Sequence, residues 1–409
     1  MKLKDLKKTT VTNVMFYYWL VIILWQTFRP VGNRSIVDIG VKVAALVFLL
    51  FYGVRHMNSR PSGNFGAFFA FFVISQVFTL LFDTRNIGMG QAINVVFIFF
   101  QIILFFMLLG DSQTSEKDLE IFSRLLIAIV IIMCVYNMIF HWDRFSKLFS
   151  GGGSAYGNEC KSFLYSNHEF GIYISAGIIV LNWINMSGRR KLKFNFIFYV
   201  LFILNLISTY SRTAILGGLV ATFIQIFFYS RKLFFWVFGI FIVFIIVSIF
   251  YEPLFDLIFN KVMKGSFSSG KVFDNGRREL YEEEINAYIN SDFLKMLFGY
   301  GYEGVNQFGG HDAYLRILLT GGILMFINFV VVIIFGFYNA FICFKFNKSV
   351  GACLVGFIVF SLLYMLAQTP ILFYSTMDSY FLTLITIVIP MYMKNFYVNR
   401  HQQYESFTD

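Results

Sequence analysis

The stretch RKLFFWVFGIFIVFIIVSIFY, residues 231–251, opens with two cations and then runs for about 20 residues without a charge. A helix rises about 1.5 Å per residue, so a run of that length crosses the roughly 30 Å hydrocarbon core of a bilayer. In lipid, only helices and closed barrels satisfy every backbone polar group. The run is continuously apolar rather than alternating, which selects the helix. Segments of the same kind, separated by short charged stretches, recur along the chain.

Composition agrees with this reading. The chain has 409 residues, 58% hydrophobic and only 14% charged, against about 25% charged in soluble proteins. Spans are predicted at 14–28, 36–54, 65–82, 88–109, 120–141, 168–186, 194–210, 213–229, 233–251, 320–343, 350–368 and 374–393. The expected fold is an all-α polytopic membrane protein of about 12 transmembrane helices, a single integral membrane domain over residues 1–409. One large outer loop, 252–312, is expected to contain short helices. Within it Arg277 to Asn290 has helical character, with Leu280, Ile285, Tyr288 and Ile289 sharing a face.

The net charge of +10 does not indicate a nucleic-acid partner, because the cations sit in short loops beside apolar spans. Arg55, Arg60, Arg189, Arg190, Lys191, Lys193, Arg231, Lys232, Lys345 and Lys348 fall on one side, and Arg29, Arg34 and Arg85 on the other. The positive-inside rule then places both termini in the cytoplasm and the loops 142–167 and 252–312 outside. Lys2, Lys4, Lys7 and Lys8 precede an apolar stretch without a small-residue cleavage site, so it reads as a first span rather than a signal peptide. Cys134, Cys343 and Cys353 fall in apolar spans and Cys160 stands alone in a loop, which indicates no disulfide framework.

Several polar residues are costly where they sit. Arg212 lies in YSRTAILGG between two apolar runs, and such charges face a partner or a wet cavity, or snorkel to the interface. As a fixed outer cation it would meet an anionic substrate, with Ser211 and Thr213 adding hydroxyl donors. Arg277 and Arg278 open the outer-loop helix, where the dipole disfavours cations. They suit a phosphate or diphosphate, although Arg278 and Glu282 can also pair at i,i+4. His311, in GGHDAYLR, has a side chain suited to general-base work. A capping role for His311 and an ordinary Asp312–Arg316 pair form the structural alternative. Lys161 and His168, in KSFLYSNHEFG, and Tyr314 and Arg316 are candidates to line the same outer cavity, with Asn167 as the N-cap of the span that follows. No motif for a nucleotide, a metal or another cofactor appears, and none is expected.

Taken in order, SNHEFG at the opening of a span, YSRTAILG, the outer loop with GRRELY and LFGYGY, and HDAYLR followed by GGIL resemble the O-antigen polymerase and O-antigen ligase superfamily of bacterial envelope enzymes. The resemblance covers about residues 168–325. Asp312 stands where the family more often has Asn, and Gly322 is followed by Met325 rather than by the glycine pattern of the ligase branch; both favour the polymerase. The resemblance implies an inverting, metal-independent glycosyltransferase of the bacterial inner membrane. Its substrate would be undecaprenyl-diphosphate-linked oligosaccharide, and its product an O-antigen (lipopolysaccharide), capsule or exopolysaccharide. In that scheme His311 is catalytic, Arg212 with Arg277 or Arg278 binds diphosphate, and Tyr300, Tyr302 and Tyr314 offer faces to sugars. Membrane lipids and a chain-length regulator are the expected partners. The rivals are a ligase that transfers glycan to lipid A core and a flippase for the same lipid-linked units. A flippase predicts ionisable residues near the midplane and related halves, whereas the anomalies here gather at the outer surface.

Overall fold

The computed structural model describes residues 74–83 (except 76), 116–148, 158–164, 166–188, 195–251, 255, 277–309, 312–368 and 377–405. All regular structure among them is helical. Among the described residues, seven helices are long and apolar enough to cross a membrane, as suits a membrane-embedded protein. The expected spans 14–28, 36–54 and 88–109, most of 65–82, and the part 256–276 of the outer loop lie outside the described residues.

The helices used below are α1 (Glu116–Phe140), α2 (Asn167–Ser187), α3 (Asn195–Ser208), α4 (Arg212–Tyr229), α5 (Arg231–Phe250), α6 (Arg277–Ile289), α7 (Phe293–Phe298), α8 (Ala313–Phe346), α9 (Lys348–Met365), α10 (Met377–Thr383) and α11 (Ile389–Glu405). Their ends have local causes. Ser166 caps α2 by accepting from Glu169 N–H at 3.1 Å, and Gly188 closes it at φ +66°, the left-handed position glycine adopts without strain. Asn167 is therefore the first helical residue rather than the cap. Ser230 caps α5 and Asn347 caps α9. Between α10 and α11 the helix widens to π register over Leu384–Val388. Pro390 follows two residues after its end and has no N–H for the carbonyl of Thr386, four residues back and inside that segment.

Two compact units divide the chain. In the unit formed by residues 120–278 and 340–367, α2, α4 and α9 pack together as the centre. Their contact is built on small residues. A Cβ on Gly171 would lie 2.5 Å from Ala214 Cβ, and one on Gly218 would lie 2.7 Å from Ser175 Oγ. Small residues four apart on both helices let the backbones approach where no hydrophobic drive exists. Polar bonds then tie the helices. Ser175 Oγ donates to Ala214 O (3.0 Å), Asn182 Nδ2 to Gln225 Oε1 (3.2 Å), Tyr199 Oη to Asn182 Oδ1 (2.6 Å) and Asn137 Nδ2 to Asn205 Oδ1 (2.9 Å). The 14-residue α3 is an apolar helix too short for the full core.

The other unit contains residues 279–339 and 368–409 together with the described part of 74–83. Here α8 is broken: Gly321 and Gly322 leave helical geometry, Gly322 at φ +65°. The segment after α7 occupies the break. A Cβ on Gly322 would sit 2.3 Å from the Leu297 backbone, and one on Gly299 would sit 2.3 Å from Thr320 O. Tyr300 N–H donates to Leu319 O at 2.7 Å, the carbonyl that the break deprives of its helical partner. Phe298 stacks on Phe78 and Phe82, with ring centroids 4.8 and 4.6 Å apart. Non-helical backbone within so apolar a helix is tolerated where protein covers it. The expected span 320–343 is thus the longer part of a helix that starts at Ala313.

The face assigned to α6 from periodicity differs in the structure. Ile285 and Ile289 are exposed, whereas Glu284 is buried, between half-buried Leu280 and Tyr288 one turn away on either side. Apolar spacing alone ranked the isoleucines above a carboxylate. The packing instead follows Tyr288, whose hydroxyl donates to Met296 O at 3.0 Å.

Candidate functional site

At one end of the α2–α4–α9 unit, α1 and α3 finish while α2 and α4 begin. Three bonds join the loop before α2 and the first turn of α2 to the end of α3 and the turn before α4. Cys160 N–H donates to Ser208 O (3.0 Å), Asn167 Nδ2 donates to Thr209 O (2.8 Å), and His168 Nδ1 lies 2.8 Å from Ser211 Oγ. His141 Nε2 lies 3.1 Å from Ser162 O, and Ser162 Oγ donates to Met133 O at 2.8 Å, so the end of α1 is tied in as well. Both connecting segments carry a non-glycine residue in the left-handed region, Ser162 at φ 55° and Tyr210 at φ 50°. Such strain persists where surrounding bonds over-determine the backbone.

Arg212 is half-buried and is the first residue of α4. Ser211 makes no side-chain cap bond to that helix; it is buried and engaged with His168 instead. Ser211 is therefore a strut under Arg212 rather than a hydroxyl offered outward. Lys161 is exposed on the loop before α2. Lys161, His168 and Arg212 thus belong to adjoining segments at one end of this unit. The Cys160 thiol is buried in the same loop, and burial pushes it above its ordinary value, which suits packing rather than reactivity.

In the other unit Asp312 caps α8 by accepting from Tyr314 N–H (2.8 Å) and Leu315 N–H (3.0 Å). Burial raises its carboxyl above the ordinary value, against the lowering effect of those two bonds. The Asp312–Arg316 pair, the structural alternative offered by the spacing, gives way to this cap. Arg316 turns to Asn306 instead, donating to Oδ1 at 2.7 Å. Tyr314 is half-buried with its ring edge-on to Phe329 at 5.5 Å. Tyr302 is buried, and the Tyr300 hydroxyl lies 2.6 Å from Ser291 Oγ and donates to Ala287 O at 3.0 Å. The Tyr300 hydroxyl is thus held inside the loop, while its ring is half-buried.

Arg278 is exposed near the start of α6; His311 and the side chain of Arg277 lie outside the described residues. Among the described residues, no group of three or more His, Cys, Asp or Glu side chains could hold a metal ion. Ser211 was named from the sequence as an outward donor and is an inward strut instead, whereas the anchor Asn306 and buried Glu284 carried no sequence signal beyond ordinary polar residues. No protein-family model matches the chain, and no curated protein matches it.

Proposed function

We propose that this protein is a glycosyltransferase that polymerises undecaprenyl-diphosphate-linked oligosaccharide repeat units at the outer face of the bacterial cytoplasmic membrane. In this reading about twelve spans cross that membrane, both termini are cytoplasmic, and the 252–312 loop is outside. The observation that carries it is the His168–Ser211 contact of 2.8 Å. It joins two of the segments on which the resemblance rests, SNHEFG and YSRTAILG, and sets them around the first turn of α4, where Arg212 stands. A helix N-terminus presents N–H groups and a positive dipole end, and an arginine beside it suits a diphosphate.

The chemistry proposed is a direct displacement. His311 takes the proton from an acceptor sugar hydroxyl, and that oxygen bonds to the anomeric carbon of the donor. The bond from that carbon to the diphosphate oxygen breaks, with inversion. The departing lipid diphosphate takes the electron pair, and Arg212 with Arg277 or Arg278 stabilises the charge that grows on it. Arg278 is exposed near the start of α6.

The test is the surface-glycan ladder of a deletion strain complemented with wild type, Arg212→Ala or His311→Ala. A single repeat unit in the deletion strain, restored to a ladder by wild type only, is the expected result. In vitro polymer formation by purified Arg212→Ala should fall about a hundredfold or more, the scale of losing one charge-stabilising donor. Polymer that still forms but stays on its lipid carrier would replace this reading with the ligase. Lipid-linked units held on the cytoplasmic side would replace it with a flippase.

A further inference from the structure

α5 has two opposite faces. Phe234, Phe238 and Phe241 turn toward Phe223 of α4, with ring centroids 6.2, 5.8 and 5.2 Å away. On the other side Lys232, Phe235, Trp236, Gly239, Ile240 and Val243 line a groove of about 610 Å³. These positions follow helical spacing along one face. Gly239 opens the groove at its middle, for a Cβ built there meets no described atom within 4 Å. Glycine in a membrane helix ordinarily permits a close neighbour, and here the space is empty of described protein atoms.

We propose that this groove is a binding site for an anionic phospholipid, with the acyl chain lying along Phe235, Trp236, Gly239, Ile240 and Val243 and the phosphate at Lys232. The dimensions suit one leaflet. Lys232 to Val243 spans about 17 Å of helix, close to half of a hydrocarbon core of about 30 Å. The charges suit the head group. Arg231 and Lys232 open α5, no acidic residue occurs within the helix, and no described carboxylate forms an ion pair with Lys232. Arg231 is occupied over the Phe227 ring at 5.8 Å, which leaves Lys232 as the cation of the groove. A partner helix fits less well, because close helix contact needs a stripe of small residues and this face carries one glycine among bulky side chains. A flexible chain fills such a surface.

Trp236 provides the readout. The protein is reconstituted in phosphatidylcholine vesicles containing a minor fraction of chain-brominated phosphatidylglycerol or chain-brominated phosphatidylcholine. Quenching of Trp236 is isolated by subtraction of a Trp236→Phe variant. The expected result is half-quenching at about one fifth of the brominated content for the anionic lipid, the preference one lysine confers near such a head group. Lys232→Gln should bring the two lipids into line. Gly239→Leu, whose Cβ meets no described atom within 4 Å, should also remove the preference without lowering the thermal unfolding midpoint. Equal quenching by both lipids in the wild type would overturn the site in favour of unselective boundary lipid. Quenching that falls as protein density rises, with cross-linking between copies through Trp236→Cys, would overturn it in favour of a self-association face.

Discussion

α2 and α5 have almost the same length, 21 and 20 residues, yet their surroundings are opposite. Most of α2 is buried inside the protein, whereas Ser248 is the one buried residue of α5. The buried helix is the less apolar of the two. It carries Ser175, Asn182 and Asn185, and each bonds to another helix. The exposed helix carries Ser248, whose hydroxyl returns to the Phe244 carbonyl of its own turn. Lipid is as apolar as leucine, so hydrophobicity holds a segment in the bilayer without choosing its neighbours. Small residues and interhelical hydrogen bonds make that choice.

The contrast can be broken most severely at the glycines. Gly218→Val would drive a side chain into Ser175, where even a Cβ stands 2.7 Å from the hydroxyl. It should destabilise the α2–α4 contact by about 3 kcal/mol, the upper range of overpacking, seen as a lower midpoint in denaturation from mixed micelles. A smaller loss is expected from Gln225→Leu. That change removes the bonds of Gln225 to Asn182 (3.2 Å) and to the Ile179 carbonyl (2.9 Å), worth about 1 kcal/mol in a membrane interior. Measured beside it, Ser248→Ala on α5 should change little; an equal loss from both would remove the distinction drawn between the helices. The smallest effect belongs to Gly239→Ala. With no described atom within 4 Å of the new methyl, it should leave stability unchanged or raise it by up to about 1 kcal/mol through helix propensity.

Much of the fold was legible in the residues. The expected spans 168–186, 213–229 and 233–251 lie within two residues of α2, α4 and α5 at each end, because charged and polar groups leave the bilayer at definite places. The candidate site was legible as a set of costly residues: Arg212 between two apolar runs and His168 at the opening of a span. Their connection was not legible. The His168–Ser211 contact joins positions 43 residues apart, and no local pattern encodes such a distance. The break in α8 was half visible, since Gly321 and Gly322 advertise weakness. That the Leu297–Gly301 segment fills it depends on the approach of two backbones.

The sequence by itself determined that the chain is helical and suited to a membrane, and where most described helices begin and end, because those properties come from the free energy of moving each residue between water and lipid. Only the tertiary structure decided which helices are interior, that Ser166 rather than Asn167 caps α2, that Asp312 caps α8 while Arg316 turns to Asn306, and that Glu284 of α6 is buried. Those outcomes rest on short-range contact and hydrogen-bond geometry between segments far apart in the chain, which hydropathy does not carry.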